Sequence, residues 1–238
     1  MVNYWKPVYL LAGGRPRIRE MFDPLIQAVF RENGIVSPTV AYIGTANSDD
    51  ERFFNYIANI FGEIGAYKVD HALISSGKAD LEKAKDILEL ADIVFISGGD
   101  VERGIRALEE KNMIGFLSNL YKQGKPFFGL SAGSIMLARE WVRWRDPNDD
   151  STAELFPCLG FAPIICDAHD EQDDWPELKT VLKLEKDNVR GYGIVTGTGI
   201  RVFPDGKIEA LGGATHQYVR HSDGVDRSSD ISPAMGSS

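Results

Sequence analysis

The sequence predicts an α/β protein: a three-layer, doubly wound, mostly parallel sheet with helices on both faces. Three observations carry that expectation. Short apolar runs are continuous rather than alternating, as in strands covered on both sides. Amphipathic stretches with helical spacing lie between them. Small turn residues close several of the runs, so right-handed crossovers would gather the strand C-termini on one edge, where ligands bind in such folds.

The elements follow in order. Val8-Tyr9-Leu10-Leu11-Ala12 is the first apolar run and ends at Gly13-Gly14, a turn expected to shape a cleft floor. It lacks the further glycine and the spacing of a dinucleotide fingerprint. Asp23-Pro24 reads as a cap residue before a first-turn proline, with Gly34 as the stop. Val40-Ala41-Tyr42-Ile43-Gly44 is the second run. Phe53, Ile57, Ile60, Phe61 and Ile64 form a helical stripe closed by Gly65. Val69-Asp70-His71-Ala72-Leu73 has an edge-strand pattern, and Asp80 caps a helix bearing Leu81, Ala84, Ile87 and Leu88. Ile93-Val94-Phe95-Ile96 ends at Ser97-Gly98-Gly99-Asp100. The stripe Met113, Phe116, Leu117, Leu120 and Tyr121 closes at Gly124, and Phe127-Phe128-Gly129-Leu130 ends at Ser131. Gly199 to Phe203 and Ile208 to Leu211 flank Pro204-Asp205-Gly206-Lys207, which predicts a C-terminal β-hairpin. One α/β domain is expected over 1–221. Residues 222–238 are small, polar and aperiodic, and read as a mobile tail.

Composition bounds the function. The 238 residues are 43% hydrophobic and 26% charged, ordinary for one globular domain. Lys plus Arg is 26 against 35 Asp plus Glu, a net charge of −9, which argues against a nucleic-acid partner. No apolar run reaches the roughly 18 residues of a membrane helix, so no membrane partner is expected. Val8 to Ala12 is too short for a signal peptide. Cys158 and Cys166 are too few for a disulfide framework and lack a metal-site pattern, so a reducing cytoplasm is the expected compartment.

Gly129-Leu130-Ser131-Ala132-Gly133 matches the nucleophile elbow G-x-S-x-G, and it stands where the pattern needs to stand, between an apolar strand and the helix-like stretch Ser134 to Ala138. A side chain raised on a strand-to-helix turn needs small neighbours, which Gly129, Ala132 and Gly133 provide. Ser131 is the candidate nucleophile. The helix N-terminus beneath it offers free N–H groups to a developing oxyanion. Gly98-Gly99 ends the adjacent strand and can turn its amides toward the same cleft, so Gly99 and Ala132 are the candidate oxyanion donors. Serine needs a base. His169 follows the apolar run Phe161 to Cys166 and should also emerge at a strand end beside carboxylates. His71 reads as structural, and His216 and His221 as surface residues.

Together these segments resemble the serine peptidase family of dipeptidase E and cyanophycinase, which has the class I glutamine amidotransferase-like (flavodoxin-like) fold. The resemblance runs from about Val8 to Val219. It rests on Ile96-Ser97-Gly98-Gly99-Asp100, on Gly129 to Ser134, on Asp167-Ala168-His169, and on Gly193-Ile194-Val195-Thr196-Gly197-Thr198. It implies Ser131 as nucleophile, His169 as general base, and Gly99 with Ala132 as oxyanion donors. The family's downstream segment usually carries acidic residues, where Val195 and Thr196 stand here. Dipeptidase E uses an aspartate some fifteen residues beyond its serine. Asp146 stands at that interval and is the first choice for the third catalytic member, with Asp167, Asp170 and Glu171 as alternatives.

The implied substrate is a short peptide: dipeptidase E removes N-terminal aspartate, and cyanophycinase cuts an aspartate-arginine polymer. Arg143 and Arg145 alternate with Trp141 and Trp144 and are candidate substrate-carboxylate binders, with Gly98 lining the same cleft. The acidic run Asp170-Glu171-Gln172-Asp173-Asp174 would instead repel an acidic substrate. No metal or organic cofactor is implied, and a monomer or homodimer is expected. Two other readings compete: an α/β-hydrolase-type esterase with His216 as base, and a catalytically altered binding protein. A glutamine amidotransferase normally needs a cysteine nucleophile, and neither cysteine sits at an elbow.

Overall fold

A computed structural model describes residues 5–13, 19–77 and 79–233. The apolar runs become the short strands β1 (Val8–Leu11), β2 (Thr39–Ile43), β4 (Ile93–Ile96) and β5 (Phe127–Leu130), with β3 (Lys68–Ala72) at the edge. These five lie parallel in the order β1-β5-β4-β2-β3. The antiparallel pair β10 (Gly199–Val202) and β11 (Ile208–Leu211) extends the sheet on the β1 side, making seven strands.

Alternation along each strand sends side chains to two cores. Leu10, Ile43 and Ile96 pack with Leu88, Ile105 and Leu117 of helices α3 (Leu81–Leu90), α4 (Val101–Glu110) and α5 (Ile114–Lys122). Tyr9, Tyr42 and Phe95 face the other way, against Val29, Ile57 and Phe61 of α1 (Arg19–Glu32) and α2 (Glu51–Ile64). Burial on both faces is why these strands read as unbroken apolar runs.

The short helix α6 (Ala132–Leu137) follows β5 directly. Beyond it the chain builds a second layer of strands. β6 (Glu140–Trp144) and β7 (Ala153–Pro157) form an antiparallel ribbon. A four-stranded sheet runs in the order β13-β12-β9-β8, from β8 (Ile165–Ala168), β9 (Arg190–Ile194), β12 (Thr215–His221) and β13 (Gly224–Arg227). Helix α7 (Pro176–Leu184) packs Leu178, Val181 and Leu182 against Ile165, Trp175, Val142 and Tyr218 of this layer. Among the described residues no helix is long and apolar enough to cross a membrane.

Several local expectations are corrected. Helix α1 starts before Asp23-Pro24, so Pro24 lies inside it. The amide that Pro24 lacks would have met the carbonyl of Glu20, in the first turn, which limits the loss to one hydrogen bond. Helix α4 was not evident because Gly104 interrupts its stripe of Val101, Ile105 and Leu108. A Cβ at Gly104 would come within 2.5 Å of the Met136 sulfur, so a larger residue there would have to displace that side chain. The segment around Trp141 to Trp144 forms the strand β6. Residues from Ser222 do not form a mobile tail throughout: β13 pairs with β12, the Ser228 N–H donates to the Gln217 carbonyl at 2.7 Å, and Ile231 bridges Thr215. Gly14 and residues 234–238 lie outside the described residues.

Candidate active site

The elbow is a strained bend held from several sides. Ser131 has φ 55° and ψ −122°, a conformation that costs a non-glycine residue about 1–3 kcal/mol. Its N–H donates to the Leu11 carbonyl at 2.9 Å, and its carbonyl accepts from the Ser134 N–H at 2.8 Å. The buried Ser134 hydroxyl accepts from the Leu11 N–H and donates to the Leu11 carbonyl, each at 2.9 Å, tying α6 to β1. The glycines are steric necessities. A Cβ at Gly129 would lie 2.5 Å from the carbonyl carbon of Gly133, and one at Gly133 would run into the Ile96 carbonyl. The bend therefore sits across the ends of β1, β4 and β5.

His169 is the first residue beyond β8, with φ 53°, and its N–H donates to the Ile194 carbonyl at 2.9 Å. Its Nε2 stands 2.6 Å from the Ser131 hydroxyl oxygen. An imidazole accepting the serine proton at Nε2 carries its own proton on Nδ1. Ser131 is half-buried and His169 is exposed, so the pair is open to a substrate.

The Gly98-Gly99 turn lies against the same serine. A Cβ on Gly98 would be 3.3 Å from the Ser131 Cβ and 3.7 Å from its hydroxyl oxygen. Gly99 has φ +147°, and a side chain there would collide with the Ala46 carbonyl, which accepts the Asp100 N–H at 2.9 Å. Ala132 is the first residue of α6, so its amide has no intrahelical acceptor.

Two carboxylates interact electrostatically with the imidazole, Asp170 and Glu171. Burial alone would raise Glu171. Hydrogen bonds from Thr196, including one from its N–H at 3.3 Å, hold the carboxyl below the ordinary glutamate value. Asp170 is raised by burial and by Asp173. Farther back, Glu177 accepts the Trp141 indole N–H at 2.8 Å and is raised by burial and by the charges of Asp170 and Asp100. Asp167 turns toward α7, accepts the Ala168 N–H at 2.8 Å, and is pushed up to about 7 by burial and by Glu177.

The remaining candidates are not brought to this pair. Asp146 lies in the exposed loop joining β6 to β7, where its carboxylate accepts the Asn148 N–H at 3.0 Å. Its other bonds are local to that loop: the Asp146 N–H donates to the Thr152 hydroxyl at 3.0 Å. Arg143 is bound to Glu154 at 2.6 Å and Glu102 at 3.3 Å, with its guanidinium 5.1 Å above the Phe156 ring. Arg145 is 3.5 Å from Glu154 and otherwise solvated. Arg143 is thus already paired with carboxylates of its own chain, while Arg145 remains largely exposed. His216 is not a free surface residue, because its Nδ1 accepts the Trp175 indole N–H at 3.0 Å. Cys166 is buried in β8, which pushes its thiol well above the ordinary value. Sequence reasoning missed Asn47, whose side chain donates toward Ser97 and Gly98. Its only signal was a polar residue just past an apolar strand.

The model of peptidase family S51 matches residues 8–210. The chain belongs to that family. Among curated relatives it is 28% identical over 123 residues to "Peptidase E" of Haemophilus influenzae, covering 50% of this chain and 53% of that protein. It is likewise 28% identical over 123 residues to "Peptidase E" of Pasteurella multocida, covering 50% of this chain and 49% of that protein. The chain thus spans about half the length of the curated relatives it matches. Two crystal structures share the fold. A peptidase from an acI-B1 Actinobacterium superposes with a TM-score of 0.67 at 17% identity, covering 96% of this chain and 97% of that one. A putative Peptidase E protein from Listeria monocytogenes gives 0.63 at 15% identity, covering 87% and 98%. In this S51 chain the elbow and the histidine come from opposite layers, the serine from the parallel sheet and the imidazole from the four-stranded one.

Proposed function

We propose that this S51 chain is a serine peptidase acting on short peptides, built on a class I glutamine amidotransferase-like arrangement. The observation that carries the reading is the 2.6 Å approach of His169 Nε2 to the Ser131 hydroxyl on a strained strand-to-helix bend. Ser131 attacks the scissile carbonyl as His169 takes its proton. The N–H groups of Gly99 and Ala132 hold the tetrahedral oxyanion. His169 then gives its proton to the leaving amine, and water enters by the same base to release the acyl group.

Glu171 is the carboxylate proposed to steady the imidazolium. It is anchored to Thr196, in the segment where the family's acidic residues usually stand, so a residue from after the histidine takes over their place. Asp170, Glu171 and, behind them, Glu177 and Asp100 make a negative surround, which favours peptides presenting neutral or basic residues. The test is a dipeptide library hydrolysed by the wild type beside Ser131→Ala. Turnover of a responsive dipeptide should fall by about 10³-fold or more in the variant. Wild-type turnover in Ser131→Ala would refute the reading.

The esterase reading loses its support, because His216 is engaged by Trp175 and His169 holds the serine.

A further inference from the structure

Behind the oxyanion turn lies a partly buried polar network that the mechanism above does not use. Tyr42 and Ser97 are fully buried, at the ends of two adjacent strands of the parallel sheet. The Tyr42 hydroxyl donates to the Ser97 hydroxyl oxygen at 2.9 Å. The Asn47 amide nitrogen donates to that same oxygen at 2.7 Å and to the Tyr42 oxygen at 3.0 Å. Ser97 in turn donates to the Gly98 carbonyl at 3.1 Å, and Asn47 reaches that carbonyl at 3.3 Å. The Asn47 carbonyl oxygen accepts the Asp50 N–H at 3.2 Å, which fixes the amide's orientation. Every bond in the network leads to one acceptor, the carbonyl of Gly98.

That acceptor has a consequence set by peptide geometry. A trans peptide is planar, with its C=O and the following N–H pointing opposite ways. Holding the Gly98 carbonyl toward Asn47 and Ser97 turns the Gly99 N–H away from the network. Two glycines in sequence offer little steric resistance to rotation of the peptide between them. Rotation would replace a donor by a carbonyl oxygen at the oxyanion position, and the interaction would become repulsive.

We propose that Asn47, with Ser97, is a positioning residue that holds the Gly98–Gly99 peptide in the orientation that aims the Gly99 N–H at the oxyanion. The role rests on the reading of Ser131 as the nucleophile. Tyr42 supports it one bond further back, by orienting the Ser97 hydroxyl toward Gly98 rather than elsewhere. Tyr42 and Ser97 are fully buried and Asn47 is half-buried, so the Ser97 donor in particular is not replaced by bulk water.

Asn47→Asp tests this most sharply. It keeps the oxygen that accepts the Asp50 N–H and puts a second oxygen where the donor faces the Gly98 carbonyl. Kinetics on a responsive dipeptide should show kcat lowered by about 10- to 100-fold, with KM within about threefold of wild type, because the lost interaction is made in the transition state. A crystal structure of the variant should show the Gly98–Gly99 peptide rotated. Ser97→Ala, a smaller change, should shift kcat in the same direction and carries the test if Asn47→Asp fails to fold. Unchanged kcat in a folded variant overturns the proposal, as does a rise in KM alone. An unrotated peptide in both variant structures overturns it whether or not a substrate is known. A rotated peptide in a protein whose wild type cleaves no dipeptide would instead retire the peptidase reading and leave the positioning intact.

Discussion

At the residue scale the site is an argument about where three side chains are allowed to point. Ser131 takes a backbone conformation with positive φ, and His169 takes another. Both are held by backbone bonds to neighbouring strands, from Leu11 in one case and Ile194 in the other. Neither residue could be found by helical or strand periodicity. The serine was legible because its bend requires small residues at fixed intervals, and those intervals are written in Gly129 and Gly133. The histidine was legible from its place at the end of an apolar run. The carboxylate partner was legible only as a set of candidates, Asp146 first and then Asp167, Asp170 and Glu171. A fifteen-residue interval pointed to Asp146, but an interval does not reveal that the intervening chain forms an antiparallel ribbon with Asp146 in its exposed loop. Glu171 reaches the site through Thr196, a contact between segments 25 residues apart. The role proposed for it makes a prediction. Glu171→Gln keeps the shape and removes the charge, so kcat should fall by at least about 10-fold with little change in KM. Steady-state kinetics beside Glu171→Ala and Asp170→Asn would check it. An effect confined to Asp170→Asn would assign the role to the neighbour.

At the scale of elements the parallel sheet was readable and the second layer largely was not. Strands buried on both faces produce runs such as Ile93 to Ile96 that have few alternative interpretations. Stripes such as Phe53, Ile57, Phe61 and Ile64 announced α2, and Gly65, with φ 116°, ends it where a left-handed cap is needed. Helix α4 was hidden by Gly104, a glycine that packs against the Met136 side chain. β6, β7 and β13 are half-buried strands with mixed composition, so their pattern does not separate them from loops. The pairing of β13 is testable. Deleting 222–238 removes its ladder with β12 and the Ile231 bridge, and should lower Tm by roughly 2–8 °C, the equivalent of about 1–2 kcal/mol. Differential scanning calorimetry would read this directly. An unchanged Tm would restore the reading of this stretch as an unattached tail.

At the scale of the whole molecule the two layers meet where the serine of one faces the histidine of the other. The layer that supplies His169 stores a carboxyl in an unfavourable place. Burial, and then the charge of Glu177, push Asp167 from 3.8 up to about 7. Because the folded-state value lies above the unfolded one, the associated stability is full below the unfolded value and is lost as pH rises through the folded value. Between pH 5 and pH 8 the wild type should therefore lose roughly 2–3 kcal/mol relative to Asp167→Asn. Denaturant titrations of both proteins at the two pH values would show whether the curves diverge. Parallel curves would mean that the carboxyl is ionised in the folded protein throughout that range.

The most direct measurement of the central claim is covalent labelling of the nucleophile. A serine-directed fluorophosphonate, followed by peptide mapping, should place a single adduct on Ser131, and the labelling rate should fall by about 10²-fold or more in His169→Ala. No adduct on Ser131, or equal labelling with and without the imidazole, would contradict the account.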